Sequence, residues 1–252
     1  MNGIDDRTGA GKTGAGETGG NDADPERIDE AAADIRAEIL RQAVQHVPFD
    51  GWTKAALHAG ARDLGLGPED ADFAFPGGVV EAVLLHARLA DAEMIEAVAA
   101  VDMSQMKIRD RVAAVIRARL EPRAHEREAI RIGLSLLSLP QNAPAALRSL
   151  YHTVDDIWWA AGDRSTDFSF YTKRTLLAGV YSSTLLYWLE DRSEGQADSW
   201  AFLDRRIADV MRLPKIGQRV GKVARCLPDP RRLFRRPGRR GRPAWRPAGL
   251  RT

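Results

Sequence analysis

The sequence predicts an all-α protein, a bundle of about nine helices closed by a C-terminal basic amphipathic helix. Three observations carry this. From Pro25 to about residue 212, apolar residues recur at helical intervals in run after run. No stretch shows the β-branched, alternating pattern of a strand. The connections between runs are short, as they are in helical bundles. At 252 residues and 44% hydrophobic, the chain is long enough for one real core or two small ones.

Residues 1–24 are rich in Gly, Thr and Asp and are expected to be disordered. They hold no apolar stretch of the signal-peptide kind, nor the Arg-rich, acid-poor composition of an organelle presequence. "GAGKTGAGETGG" looks like a phosphate loop, but the spacing fails. Five residues before Gly11 stands Asp6 rather than Gly, and no apolar strand precedes it.

Asp24 before Pro25 suits a helix start. Ile28, Ile35, Ile39, Ala43 and Val47 then keep helical spacing, and Pro48 is expected to end the run. Further helical runs cover 52–65, 78–101, 104–120, 125–138, 144–161, 168–190 and 198–212. Residues 25–77 form one expected subdomain and 78–212 a second. Residues 213–227 form the basic helix, and 228–252 a disordered Pro/Arg tail.

The first third, with its short helix 68–74, "FPGG" and a long helix from Val79, is similar to a TetR-like helix-turn-helix. The reader position, "PEDADFAF", carries Glu69, Asp70 and Asp72 and no basic residue. Three carboxylates would be repelled by phosphates, so sequence-specific nucleic-acid recognition is not expected. Phe73 and Phe75 suggest that this segment also packs inward.

Catalysis finds little support. The five histidines are scattered, without a metal-ligand spacing, and Cys226 stands alone. No cofactor or metal is expected. Asp155, Asp156, Asp163 and Asp167 are the dense carboxylates near aromatics, and an acid/base pair there is conceivable. Simpler roles compete: Gly162 fits a helix C-terminus, and Ser165, Thr166 or Asp167 the next N-cap. Thr172, Lys173 and Arg174 suit a solvated first turn.

The stripe Leu147, Leu150, Tyr151, Val154, Ile157, Trp158 and Ala161 puts Trp158 on the core side and Trp159 off it. An indole exposed beside a turn is a natural binding anchor. Residues 175–189, "TLLAGVYSSTLLYWL", are uncharged and apolar nearly all round. They are too few to span a bilayer, so that helix is either fully buried or lines an apolar pocket.

The net charge of +2 hides an asymmetry. From Lys215 onward there are thirteen basic residues and one acid, Asp229. In "LPKIGQRVGKVARCL", Ile216, Val220, Val223 and Leu227 share one sector, with Lys215, Arg219 and Lys222 opposite. That pattern fits an anionic membrane surface or a wrapped partner.

The run "VDDIWWAAGDRSTDFSFYTKRTLLAGVY", with "FPGG" upstream and "WAFLDRRIADVM" downstream, closely resembles the ubiquinone-biosynthesis accessory family known as coenzyme Q protein nine. This resemblance covers about residues 30–212. It implies a TetR-like lipid-binding protein that is neither repressor nor enzyme. Such a protein would bind isoprenoid quinone intermediates in an apolar pocket, expected here at Leu176, Leu177, Val180, Tyr181, Leu185 and Trp188. It would support the pathway's di-iron hydroxylase through a patch carried over to Trp158, Trp159, Asp163, Asp167, Tyr171 and Arg174. Membrane docking is expected at Lys215, Ile216, Arg219, Val220, Lys222, Val223 and Leu227, and a homodimer is expected as in other TetR-like proteins. The missing presequence and the Ala/Arg/Gly-rich composition suggest a bacterial member, cytoplasmic and peripheral on the inner face of the membrane. The competing readings are a TetR-type regulator with an atypical acidic reader helix, and an enzyme built on the Asp cluster.

Overall fold

A computed structural model describes residues 25–163 and 169–224, with no side chain described for 25–31, 169–171 or 213–224. Among the described residues there are nine α-helices, three short 3-10 turns and no strand. The helices are α1 (Pro25–Asp50), α2 (Lys54–Asp63), α3 (Pro68–Ala74), α4 (Gly78–Ala99) and α5 (Ile108–Leu120). They continue with α6 (Arg127–Leu137), α7 (Ala143–Ala160), α8 (Ser169–Glu190) and α9 (Ala197–Ala224). Residues 1–24 and 228–252, both expected to be disordered, lie outside the described residues.

The chain divides into two compact units. Of the described residues, the first comprises 25–101 together with Ala118–Asp156; the second comprises Asp102–Arg117 and those between Ile157 and Ala224. All of the helix-turn-helix-like segment lies in the first unit.

In the first unit, Ile39, Leu40, Ala43 and Val47 of α1 pack with Leu57 of α2, Phe75 and Val83. Gly60 permits the close crossing of α1 and α2: a Cβ there would stand 2.5 Å from the Ala43 backbone nitrogen. Trp52 is buried, and its indole N–H donates to the Ala129 carbonyl at 2.8 Å. Thr53 caps α2 by accepting from the Ala56 N–H, and Asp70 closes the start of α3 by accepting from the Gly67 N–H at 2.8 Å.

Three local expectations are corrected here. Pro48 does not end α1; it sits in the last turn, and the helix closes only when the Gly51 N–H donates to the Val47 carbonyl at 2.8 Å. One lost N–H near a helix end is tolerated because the following turn still finds an acceptor. Ile35, placed on the core stripe, is exposed, because the core begins further along α1. Phe75 packs inward as expected, but Phe73 is 86% exposed, since Ala71 takes the buried position on α3.

In the second unit, α8 packs against α9. Leu177, Val180, Tyr181 and Trp188 of α8 and Leu203 and Ile207 of α9 are buried. Asp191, in the turn between them, accepts from the backbone and hydroxyl of both Ser193 and Ser199 at 2.5–2.9 Å. Burial pushes that carboxyl up, but these four hydrogen bonds outweigh it and hold Asp191 well below the usual carboxylate range. The expected helices 198–212 and 213–227 are not separate: α9 runs through Pro214 to Ala224. Among the described residues no single helix is long and apolar enough to cross a membrane.

Candidate functional site

The tryptophan pair stands at the end of α7. The helix stops in a left-handed C-terminal motif: the Gly162 N–H donates to the Trp159 carbonyl and the Asp163 N–H to the Trp158 carbonyl, both at 3.0 Å. Gly162 has φ +86°, which disfavours any residue with a Cβ. A Cβ there would also meet an Arg111 guanidinium nitrogen at 3.2 Å. Arg111 itself ties down the approach to α5, donating to the carbonyls of Met106 and Ser104 at 2.9 and 3.0 Å.

This stop fixes where the two indoles point. Ile157 and Ala161 are fully buried, Trp158 is half-buried, and Trp159 is 51% exposed. The Trp158 indole nitrogen is buried and has no hydrogen-bond partner among the described residues. Lys173 of α8 reaches over this corner, with its Nζ 5.9 Å from the Trp158 ring centre and 3.3 Å from an Asp163 carboxylate oxygen. Arg174, one residue on, is buried. The expectation that Arg174 stands in a solvated turn is therefore corrected, while Lys173 is partly solvated and Thr172 is exposed. Sequence reasoning missed Lys173 because an ion pair ten residues apart across a turn of unknown shape has no periodic signature.

Of the six residues expected to bind a partner, Trp158, Trp159, Asp163 and Arg174 are described. Asp167 and the side chain of Tyr171 lie outside the described residues. The stripe itself needs correction at its start: Leu147 is 67% exposed and Tyr151 is exposed too, so only Val154, Ile157 and Ala161 are fully buried.

On α8, Leu177, Val180, Tyr181, Leu185 and Trp188 are buried and Leu176 is half-buried. The helix is not enclosed all round, however. Leu186 and Tyr187 are exposed, and Tyr187 stacks on Phe202 of α9 with ring centres 4.6 Å apart. None of the six expected lipid-contacting residues lines either of two described cavities. One, of about 480 Å3, lies along Arg109, Asp204, Ile207 and Met211; the other, of about 120 Å3, lies in the first unit at Leu40, His86, Arg123 and Glu126.

That smaller cavity borders an ionic cluster. His86 meets Glu126 at 2.8 Å, and Arg123 bridges Glu126 at 2.9 Å and Glu93 at 2.6 Å. Burial pushes the Glu126 carboxyl up, but the hydrogen bond and charge of His86 and the charge of Arg123 outweigh it, holding Glu126 at about 2.

The suspected acid cluster separates by partner. Asp156 pairs with Arg88 at 3.0 Å, and its carboxyl is raised by burial and by the nearby Asp91 charge. Asp163 pairs with Lys173. His46, His58 and His86 each pair with a carboxylate, as structural histidines do. Among the described residues no group of three or more His, Cys, Asp or Glu is placed to hold a metal.

Of the membrane-binding set, Lys215, Ile216, Arg219, Val220, Lys222 and Val223 lie on the last turns of α9, their side chains outside the described residues. Leu227 lies outside them altogether.

Residues 143–214 match the COQ9 family model. The chain is 36% identical over 211 residues to the rat protein "Ubiquinone biosynthesis protein COQ9, mitochondrial", covering 79% of this chain and 65% of the rat one. It is 36% identical over 183 residues to the Drosophila melanogaster protein of the same name, covering 71% and 56%. It is 34% identical over 209 residues to "Ubiquinone biosynthesis protein COQ9-B, mitochondrial" of Xenopus laevis, covering 79% and 70%. The chain thus spans less than two thirds of the length of the rat and fly proteins. A solved TetR transcriptional regulator from Nitrosomonas europaea shares the fold, with TM-score 0.58 at 20% identity over 71% of this chain and 98% of that one.

Proposed function

The chain belongs to the COQ9 family, and on that premise we propose that it serves ubiquinone biosynthesis as a lipid-binding accessory protein rather than as a catalyst. In this reading it holds an isoprenoid quinone intermediate against α8, at Leu176, Leu177, Val180, Tyr181, Leu185 and Trp188. It presents that lipid to the di-iron hydroxylase of the pathway. The hydroxylase docks at the end of α7 on Trp158 and Trp159, with Asp163, Asp167, Tyr171 and Arg174 around them. The protein works as a homodimer, peripheral on an anionic membrane, to which the basic end of α9 is drawn.

The observation that carries the reading is Trp159. An indole 51% exposed beside a helix stop, inside the segment that matches the family model, offers a partner a large amphipathic surface to cover. Aromatics that become buried on association dominate the binding energy of protein interfaces. The regulator reading has less behind it: Glu69, Asp70 and Asp72 all face solvent on α3, and Asp72 is engaged by Lys54 and His58. The bacterial setting expected from composition finds no support among the relatives named above, each described as mitochondrial.

The test is mass spectrometry of organic extracts from gently purified protein. An isoprenoid quinone or precursor, depleted in Val180→Trp, is expected. A clean extract from folded wild-type protein sinks lipid presentation.

A further inference from the structure

On α3, the side turned away from the core carries a large apolar side chain. Phe73 is 86% exposed, although Ala71 and Phe75, two residues before and after it, are buried. Glu69 and Asp70 stand four and three residues before Phe73, on the same side of the helix, and both are exposed. Asp72, its chain neighbour, is held by Lys54 of α2 at 3.0 Å and by His58 at 3.2 Å. That contact brings the start of α2 alongside α3. Five residues before Lys54, on the last turn of α1, Phe49 is 92% exposed.

The charge around Phe73 decides what can cover it. Glu69, Asp70 and Asp72 repel phosphate, so nucleic acid and anionic lipid are poor occupants. A second copy of the same face would set like charges against them. The complement is a cationic segment that also carries apolar side chains.

This chain has such a segment. Residues 228–252, outside the described residues, hold nine arginines against one acid, Asp229, with Phe234 and Trp245 among them. The function proposed above draws on the basic end of α9 and leaves this segment unassigned. A guanidinium suits both parts of the α3 face: it pairs with a carboxylate and it lies over a phenyl ring. Arg36 does both within the first unit, paired with Glu81 at 2.5 Å and standing over the Phe75 ring at 5.3 Å. The chain beyond Ala224, residues 225–252, extends to about 95 Å at full stretch, so tether length is no obstacle.

We propose that residues 228–252 dock on the α3 face of their own chain. Their arginines pair with Glu69, Asp70 and Asp72, and their apolar side chains cover Phe73. Where a DNA-reading helix would need basic residues to meet phosphate, this α3 takes a basic segment of the protein itself. The proposal is independent of the lipid-binding reading.

The test uses the full chain with the photo-crosslinking residue p-benzoylphenylalanine placed at position 73, which is open to solvent. An equal mixture of 14N- and 15N-labelled protein is irradiated, and the crosslinked peptides are identified by mass spectrometry. Crosslinks into residues 228–252 are expected, joining peptides of the same label. Their yield should fall about threefold or more in Glu69→Lys, and equally in the tail variant Arg231→Glu, Arg232→Glu, the effect of reversing exposed ion pairs. It should also fall between about 0.05 and 0.5 M salt as the charges are screened. Crosslinks confined to other segments, or joining only peptides of different label, overturn the proposal. So does a yield that neither variant changes, or no crosslink at all in protein whose melt matches wild type.

Discussion

Lys173 stands over Trp158, its Nζ 5.9 Å from the ring centre, while the same nitrogen meets Asp163 at 3.3 Å. One cation thus joins the start of α8 to the last turn of α7 and to the residue just past its stop. The arrangement holds Trp158 in place, while Trp159, its chain neighbour, is 51% exposed.

Removing that cation should loosen the corner without unfolding the protein. Lys173→Met keeps the stem and loses the charge. A destabilisation of about 0.5–1 kcal/mol is expected, since the pair is partly solvated and the ring lies near the limit of cation–π reach. Urea unfolding measures it, and the loss should shrink in high salt.

The two tryptophans should separate stability from docking. Trp159→Ala should change stability by less than about 1 kcal/mol, as exposed substitutions do. Its binding to the hydroxylase should weaken by about 30-fold or more if the indole is an interface anchor. Trp158→Ala, half-buried, should lose about 2 kcal/mol of stability. Titration calorimetry against the hydroxylase, beside thermal melts of both variants, reads the difference.

Gly162→Ala should cost about 1–2 kcal/mol, because φ +86° is left-handed backbone that an L side chain resists. The Arg111 guanidinium nearby can swing aside, so the backbone term should dominate. Gly162→Asn, which tolerates that region better, should recover part of the loss in a melt.

Acid should report on Glu126. Its folded value of about 2 lies below the ordinary 4.5, so its contribution is fully present above about pH 4.5 and is lost as pH falls towards 2. The stability difference between wild type and Glu126→Gln should therefore be constant near neutrality, about 2–3 kcal/mol, and collapse over that window. A difference that stays flat down to pH 2.5 would show that His86 and Arg123 do not favour the charged carboxylate.

Much of the fold was legible beforehand because it is written in local rules. Apolar spacing located eight of the nine helices among the described residues, and the helix-turn-helix layout the short α3; Gly162 announced a stop; "FPGG" announced the break before α4. What misled was equally local. Pro48 reads as a terminator, yet it falls where a helix is ending anyway. Leu147, Tyr151 and Ile35 fit a stripe by period but stand beyond the reach of the core. The site was half legible. The tryptophan pair was conspicuous, and helical rotation separated core-side Trp158 from outward Trp159. Lys173 was not legible, because its partners Asp163 and Trp158 are brought to it by the path of the turn.

The sequence by itself determined the all-helical class, the order of the elements and the family, since periodicity, caps and a long specific run of residues need no third dimension. Only the tertiary structure decided which apolar residues are covered and which polar ones are paired. It placed Phe73 and Leu186 in water and closed Glu126 in with His86 and Arg123. Burial and hydrogen bonding depend on what other segments bring to a residue, and that is a property of packing that no local pattern encodes.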